Sequence, residues 1–120
     1  MSTTEETTAT AVRALNDALN ARDRAATTAL FASDGVFTPG AAGANFTGPE
    51  AITEALFGFL DMHTSGQFET VREVFAGDEA FSEWTWAGVT TEGQPSESHG
   101  CDYYLVRGGK VAVRSTFRKV

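Results

Sequence analysis

From Gln67 onward the apolar residues recur with a period of two, and the runs are cut at Gly77-Asp78, Gly88, Gly93-Gln94-Pro95 and Gly108-Gly109. Side chains of an extended chain alternate between faces, so this rhythm commits the second half to strands joined by glycine-rich turns. Four strands are predicted: Phe68 to Phe75, Ala80 to Ala87, Ser96 to Val106, and Lys110 to Lys119. Such a sheet has a face to bury, and the first half of the chain must cover it.

Thr3 or Thr4 followed by Glu5 and Glu6 reads as a helix start, and Val12, Leu15 and Leu19 follow at helical spacing, so a first helix is predicted to about Ala21. Asp23 is the expected N-cap of a short second helix through Ala26, Leu30 and Phe31, ended by Asp34-Gly35. Val36-Phe37-Thr38 is then a brief strand stopped by Pro39. The stretch GAAGANFTG reads as a loop, and Gly48-Pro49-Glu50 opens a third helix with proline at its tolerated first position. Ile52, Leu56, Phe59, Leu60 and His63 share one face of it, which puts His63 on the apolar side as a possible pocket base. The prediction is one α+β domain over residues 1–120, three helices on a curved, mostly antiparallel sheet, with a cone-shaped hollow between the layers.

Composition narrows the partners. Nine Lys and Arg against sixteen Asp and Glu give a formal charge of -7, which repels nucleic acid and anionic membranes. The acidic start MSTTEETTATAV is unlike a secretory signal, and no apolar run approaches the ~20 residues of a membrane span. With one cysteine, Cys101, an internal disulfide is excluded and a reducing, cytoplasmic location fits. Asn45-Phe46-Thr47 matches a glycosylation acceptor, a chance match in a chain without an export signal. His99 and Cys101 share a strand face but lack a third ligand, so no metal is expected. No phosphate-binding glycine loop, G-x-S-x-G or H-E-x-x-H occurs, and no cofactor is implied.

One charge stands out. Asp102 interrupts the apolar run GCDYYLV, and on a buried face its carboxylate must be paired, neutralised or functional. A two-residue Gly108-Gly109 turn sets Asp102 opposite Ser115; a three-residue turn with a glycine bulge sets it opposite Arg114. The second register favours the charged form and the first the neutral acid, and the residues alone leave both open.

The segments ALNARD, FASDGVFTPG, FTGPEAITEALFGFL, GDEAFSEWTWAG and GCDYYLVRGGKVAVRSTF, in this order, resemble the nuclear transport factor 2-like superfamily, closest to its small SnoaL-like, polyketide-cyclase-related members and more distantly similar to ketosteroid isomerase. The resemblance implies a cone-shaped, cystatin-like roll. Asp102 falls where ketosteroid isomerase keeps a protonated aspartic acid as oxyanion donor. Thr38 stands where that enzyme has its base, and Leu15 where it has its tyrosine, so steroid isomerisation is not expected. Limonene epoxide hydrolases place an arginine two residues before the matching aspartate, and here that position is Gly100. A donor is expected instead from Arg114.

The resemblance thus implies a pocket facing Glu83, Thr85, Asp102, Tyr104, Arg114 and Thr116, walled by Leu15, Leu56 and Phe59. Trp84 and Trp86 would then lie on the convex face and mark a homodimer interface. Two functions are consistent with it. One is an acid-base enzyme, an isomerase, cyclase-type lyase or hydrolase, acting on an apolar polyketide- or terpenoid-like substrate. Asp102 would be its acid or base, Arg114 or Tyr104 would polarise an oxygen, and Glu83 or His63 would be the second acid-base group. The other is a non-catalytic dimeric ligand-binding or accessory protein of the same fold.

Overall fold

Ser2 accepts a hydrogen bond from the backbone N–H of Glu5, whose carboxylate accepts one from the Ser2 N–H, and this capping box starts α1, Thr3–Asn20. The computed structural model describes residues 2–40 and 44–119. Asp23 caps α2, Arg24–Leu30, through the Ala26 N–H, as its sequence position predicts. There follow β1 (Phe31–Thr38), β2 (Phe46–Thr47), α3 (Pro49–Leu60), β3 (His63–Ala76), β4 (Glu79–Thr90), β5 (Pro95–Arg107) and β6 (Lys110–Arg118). Three helices pack on a six-stranded, curved and unclosed sheet of order β2-β1-β6-β5-β4-β3, antiparallel except where β1 runs parallel to β6. Among the described residues no helix is long and apolar enough to cross a membrane.

Three local expectations are corrected. Asp34-Gly35 does not end α2; the helix stops at Leu30, and the pair lies in an irregularity of β1, where Phe31 pairs with Val111 but Val36 with Val113. Phe31 is buried in the core, which anchors the strand five residues earlier than Val36. Phe46-Thr47, read as loop, pairs with Val36 and Phe37 as an edge strand. His63 is not on α3; it is the first residue of β3.

The larger correction concerns which face of β4 looks inward. Val89 pairs with Pro95, and from there Trp86 faces Ser98, Trp84 faces Gly100 and Ser82 faces Asp102. Directly paired residues share a face, so the tryptophans lie on the same side as Asp102. Both are buried under the helices, with Phe68 of β3 packed edge-on against Trp84. Glu83 and Thr85 therefore point to the outer, convex face, and Trp84 and Trp86 are not an exposed patch. At roughly 25 cal/mol per Å² and 150–250 Å² per aromatic side chain, burying two indoles instead of a glutamate and a threonine favours this arrangement by several kcal/mol.

The hairpin between β5 and β6 takes neither expected register. Gly108 and Gly109, at φ 57° and 76°, make the two-residue turn that needs positive φ at both positions, and Arg107 pairs with Lys110 and Val106 with Val111. The ladder then shifts: Leu105 pairs with Val113, leaving Ala112 as an extra residue in β6. Val111 and Ala112 are consecutive yet both buried, as a bulge permits. Beyond it Tyr104 faces Arg114 and Asp102 faces Thr116.

Gly100 has a steric role. A Cβ there would lie 2.3 Å from the Phe117 carbonyl oxygen and 2.9 Å from Cζ2 of Trp84, so the indole lies across a position that must lack a side chain. Gly100→Ala is expected to lower stability by about 2–3 kcal/mol through overpacking. Urea unfolding checks this, and a midpoint unchanged from the parent would contradict it.

Candidate functional site

The β6 bulge puts four polar side chains on the inner face of the two central strands. Arg114 is directly across from Tyr104 and diagonal to Asp102, close enough for long side chains to meet. Its Nη2 donates to Asp102 Oδ2 at 2.9 Å and its Nε to the Tyr104 hydroxyl at 3.1 Å; that hydroxyl donates to Asp102 Oδ2 at 3.3 Å. Thr116 Oγ1 donates to Asp102 Oδ1 at 2.7 Å. Asp102 is only 2% exposed and Arg114 5%, so the pair is dry and each charge is held by the other.

The surroundings favour this state. Burial opposes the charge on Arg114, but the adjacent Asp102 carboxylate and the Tyr104 hydroxyl together more than offset it and hold the guanidinium above its ordinary range. The guanidinium also stacks 5.1 Å from the Phe37 ring centroid. Burial pushes the Tyr104 phenol up, Arg114 pulls it partly back, and Asp102 adds to the rise. Tyr104 is thus a neutral hydroxyl that fixes the pair.

In front of Arg114 lies a cavity of about 270 Å³, walled by Leu19 of α1, Ala55, Leu56, Phe59 and Leu60 of α3, Phe37 and Phe46 of β1 and β2, and Phe68 and Trp84 of β3 and β4. Pro39, Gly40 and Ala44 also line it. Its polar contributors are Arg114, Thr116 and Arg118 of β6. Asp102 and Tyr104 lie behind this wall, beside a space of about 10 Å³ shared with Ser82 and Asn16.

Of the residues expected at the site, Leu56, Phe59, Arg114 and Thr116 line the cavity, and Asp102 and Tyr104 support it. The others lie elsewhere. Leu15 is fully buried in the core under α1 and does not reach the cavity. Thr38 donates to Asn45 Oδ1 at 2.9 Å beside the opening. Glu83 is on the outer face, paired with Arg72 at 2.7 Å and Lys119 at 3.4 Å, and Thr85 is exposed there. His63 is tied between the Phe59 carbonyl at 3.0 Å and Ser96 Oγ at 2.9 Å, its ring against Trp86. Phe37, Phe46, Phe68, Trp84 and Arg118 are lining residues that the sequence reading missed. For Trp84, the even spacing from Asp102 signals a shared face only once the β4–β5 register is fixed, which alternation does not supply.

A model of the SnoaL-like domain matches residues 12–114, and the chain belongs to that family. No curated protein matches the sequence. Solved structures share its fold. A hypothetical protein of ketosteroid isomerase-like fold from Catenulispora acidiphila, in complex with trimethylamine, superposes with a TM-score of 0.80 at 23% identity over 89% of this chain and 83% of its own. An epoxide hydrolase of the LEH-like type from M. tuberculosis gives 0.82 at 16% over 96% and 84%. A SnoaL-like protein from Jannaschia sp. CCS1, assigned as a polyketide cyclase, gives 0.87 at 15% over 99% and 90%. At these identities the likeness is one of fold.

The buried phenol supplies a pH test. Because the folded chain holds the Tyr104 proton more tightly than the unfolded chain, its contribution is complete below the ordinary phenol pKa of about 10 and is lost as pH rises above it. Tyr103 is pushed up to about 12, chiefly by its hydrogen bond to Glu79, and acts in the same direction. Urea midpoints are expected to fall with pH above about 10, less steeply in Tyr104→Phe than in the parent. Equal slopes would show that the phenol does not carry the effect.

Proposed function

We propose that this protein binds an apolar small molecule in the cavity and holds one of its oxygens on Arg114. The observation that carries this reading is the composition of the wall: guanidinium and hydroxyl groups set in aromatic and aliphatic side chains, with no carboxylate or imidazole among the described lining residues. Residues 41–43, between Gly40 and Ala44, are Ala-Ala-Gly and bring no ionisable side chain. Asp102, the expected acid or base, uses both oxygens to hold Arg114, Tyr104 and Thr116. Its part is then to fix the guanidinium, a preorganised donor that an acceptor reaches without rearranging the wall. This favours ligand binding over proton transfer.

One contact favours a catalytic reading. Thr116 lines the cavity and donates its proton to Asp102, so a ligand proton passed to Thr116 as that proton moves to Asp102 would make the carboxylate a base at one remove. A polyketide- or terpenoid-like substrate and cyclase, isomerase or hydrolase chemistry belong to that second reading. A second copy of the chain on the outer sheet face also remains part of the proposal, now resting on the exposed Val74, Phe81 and Phe117 in place of the tryptophans.

α-Tetralone and tetralin share a bicyclic body and differ in one carbonyl. Calorimetry is expected to show the ketone bound at least about tenfold more tightly, as a hydrogen bond from a charged donor allows. The double variant Asp102→Asn with Arg114→Gln, which strands neither charge, should erase that preference. Equal affinity of the parent for both compounds would refute the role given to Arg114. In D₂O, exchange of the protons next to the tetralone carbonyl is expected at the buffer rate; acceleration by the parent but not by Thr116→Val would establish the catalytic reading instead.

A further inference from the structure

Pairing across the sheet sets four polar residues in one row. Glu73 of β3 is opposite Ser82 of β4, Ser82 is opposite Asp102 of β5, and Asp102 is opposite Thr116 of β6. Directly paired residues share a face, so all four lie on the inner side, between the rows that carry Ala80 and Trp84 on β4. The row begins at Thr116 in the cavity wall and ends at Glu73 on the edge strand, whose side chain is 18% exposed. Hydroxyls and carboxylates alternate along it.

The two ends of the row are joined differently. Thr116 donates to Asp102 Oδ1 at 2.7 Å. Glu73 accepts from Arg13 Nε and Nη2, at 3.1 and 3.0 Å, both on Oε1, which leaves Oε2 for another donor. Ser82, between the two carboxylates, is 8% exposed and its hydroxyl is bonded to neither of them. Few buried hydroxyls are left in that condition. The space of about 10 Å³ is lined by Glu73, Ser82 and Asp102 together, with Asn16 of α1 beside them. That is about the room one water needs, and these side chains supply the two to four polar partners that hold one.

We infer that this row is a proton path between the cavity and bulk solvent, with Ser82, Glu73 and a water between Ser82 and Asp102 as its relay. The path deepens the catalytic reading, on which its use rests, although the row stands without it. A proton given to Thr116 sends that residue's own proton to Asp102, and Asp102 passes one to the water. The water gives one to Ser82 Oγ as the Ser82 proton goes to Glu73 Oε2, which releases it to solvent. Each relay group gains one O–H bond and loses one, so the net change is one proton moved from cavity to bulk. A hydroxyl suits the middle position because it both donates and accepts. At a strand spacing of ~4.8 Å the two carboxylates are about 9–10 Å apart, too far for direct exchange, so Ser82 and the water are required.

Tyr104 reports on proton traffic at Asp102, because its hydroxyl donates to Oδ2 and the residue lines the small space but not the cavity. In the full chain labelled with ¹³C at tyrosine Cζ, the deuterium isotope shift in mixed H₂O and D₂O reads the exchange rate of that hydroxyl, and Tyr103→Phe identifies which of the two tyrosine lines it is. Glu73→Gln is expected to slow the exchange at least about tenfold, as loss of a positioned acid-base group does, and Glu73→Asp to restore most of it. Ser82→Val should slow it similarly. A loosened wall would speed exchange, so a merely structural effect has the opposite sign. Exchange in Glu73→Gln as fast as in the parent, or faster, would overturn the path. If the path passes while the protons next to the tetralone carbonyl exchange at the buffer rate, the catalytic reading fails and the path remains. Should Ser82→Val not fold, the two Glu73 variants decide the matter.

Discussion

One extra residue in β6 determines what the sheet presents to its helices. Were Ala112 paired with Leu105 in a regular ladder, the tight glycine turn would carry its pairing straight through, Asp102 would face Ser115, and Arg114 would pair with Tyr103 on the outer surface. The inserted residue reverses the parity of everything after it. Arg114 and Thr116 turn inward, beside Tyr104 and Asp102, and the two consecutive residues Val111 and Ala112 both enter the core. The cavity, its guanidinium and the enclosed ion pair all follow from this local shift.

The pair itself shows why an acidic residue survives in an apolar strand. Removing two charges from water is costly, and the loss is recovered only when partners satisfy nearly every lone pair and proton. Here the carboxylate accepts from a guanidinium, a phenol and a threonine hydroxyl, all placed by two neighbouring strands. The same bonds that make Asp102 tolerable leave it little freedom to act as an independent acid or base. What faces the cavity is the far edge of Arg114, oriented by Asp102 and Tyr104 behind the wall.

Much of the fold was legible in the sequence because its signals are local. Capping at the N-terminus and at Asp23, the proline that opens α3 and the glycine turns are decided by a few neighbouring residues, and they identified three helices and a run of strands. The inner and outer faces of β4 were not legible in that way. Alternation separates Trp84 and Trp86 from Glu83 and Thr85 but does not say which set is buried; the β4–β5 pairing decides, and it depends on the turn after Thr90. Of the residues that the resemblance implied, Arg114 lines the cavity, Asp102 lies behind its wall and Glu83 is on the outer face. Ala112 carried no sequence mark of a bulge, since alanine is at home in a regular strand. Leu15 meets the core and not the cavity, a distinction that helical spacing does not make, and His63 lies past the end of α3, at the start of β3.

The contact between Trp84 and Gly100 ties two positions on adjacent strands into a single choice. An arginine at position 100, which the resemblance assigns to the limonene epoxide hydrolase branch and not to this chain, would need the volume the indole fills and would meet the Phe117 carbonyl first. Bulk at one position excludes bulk at the other. Interconverting the two kinds of pocket therefore requires paired replacement and local backbone movement, and either change made alone crosses a less stable form.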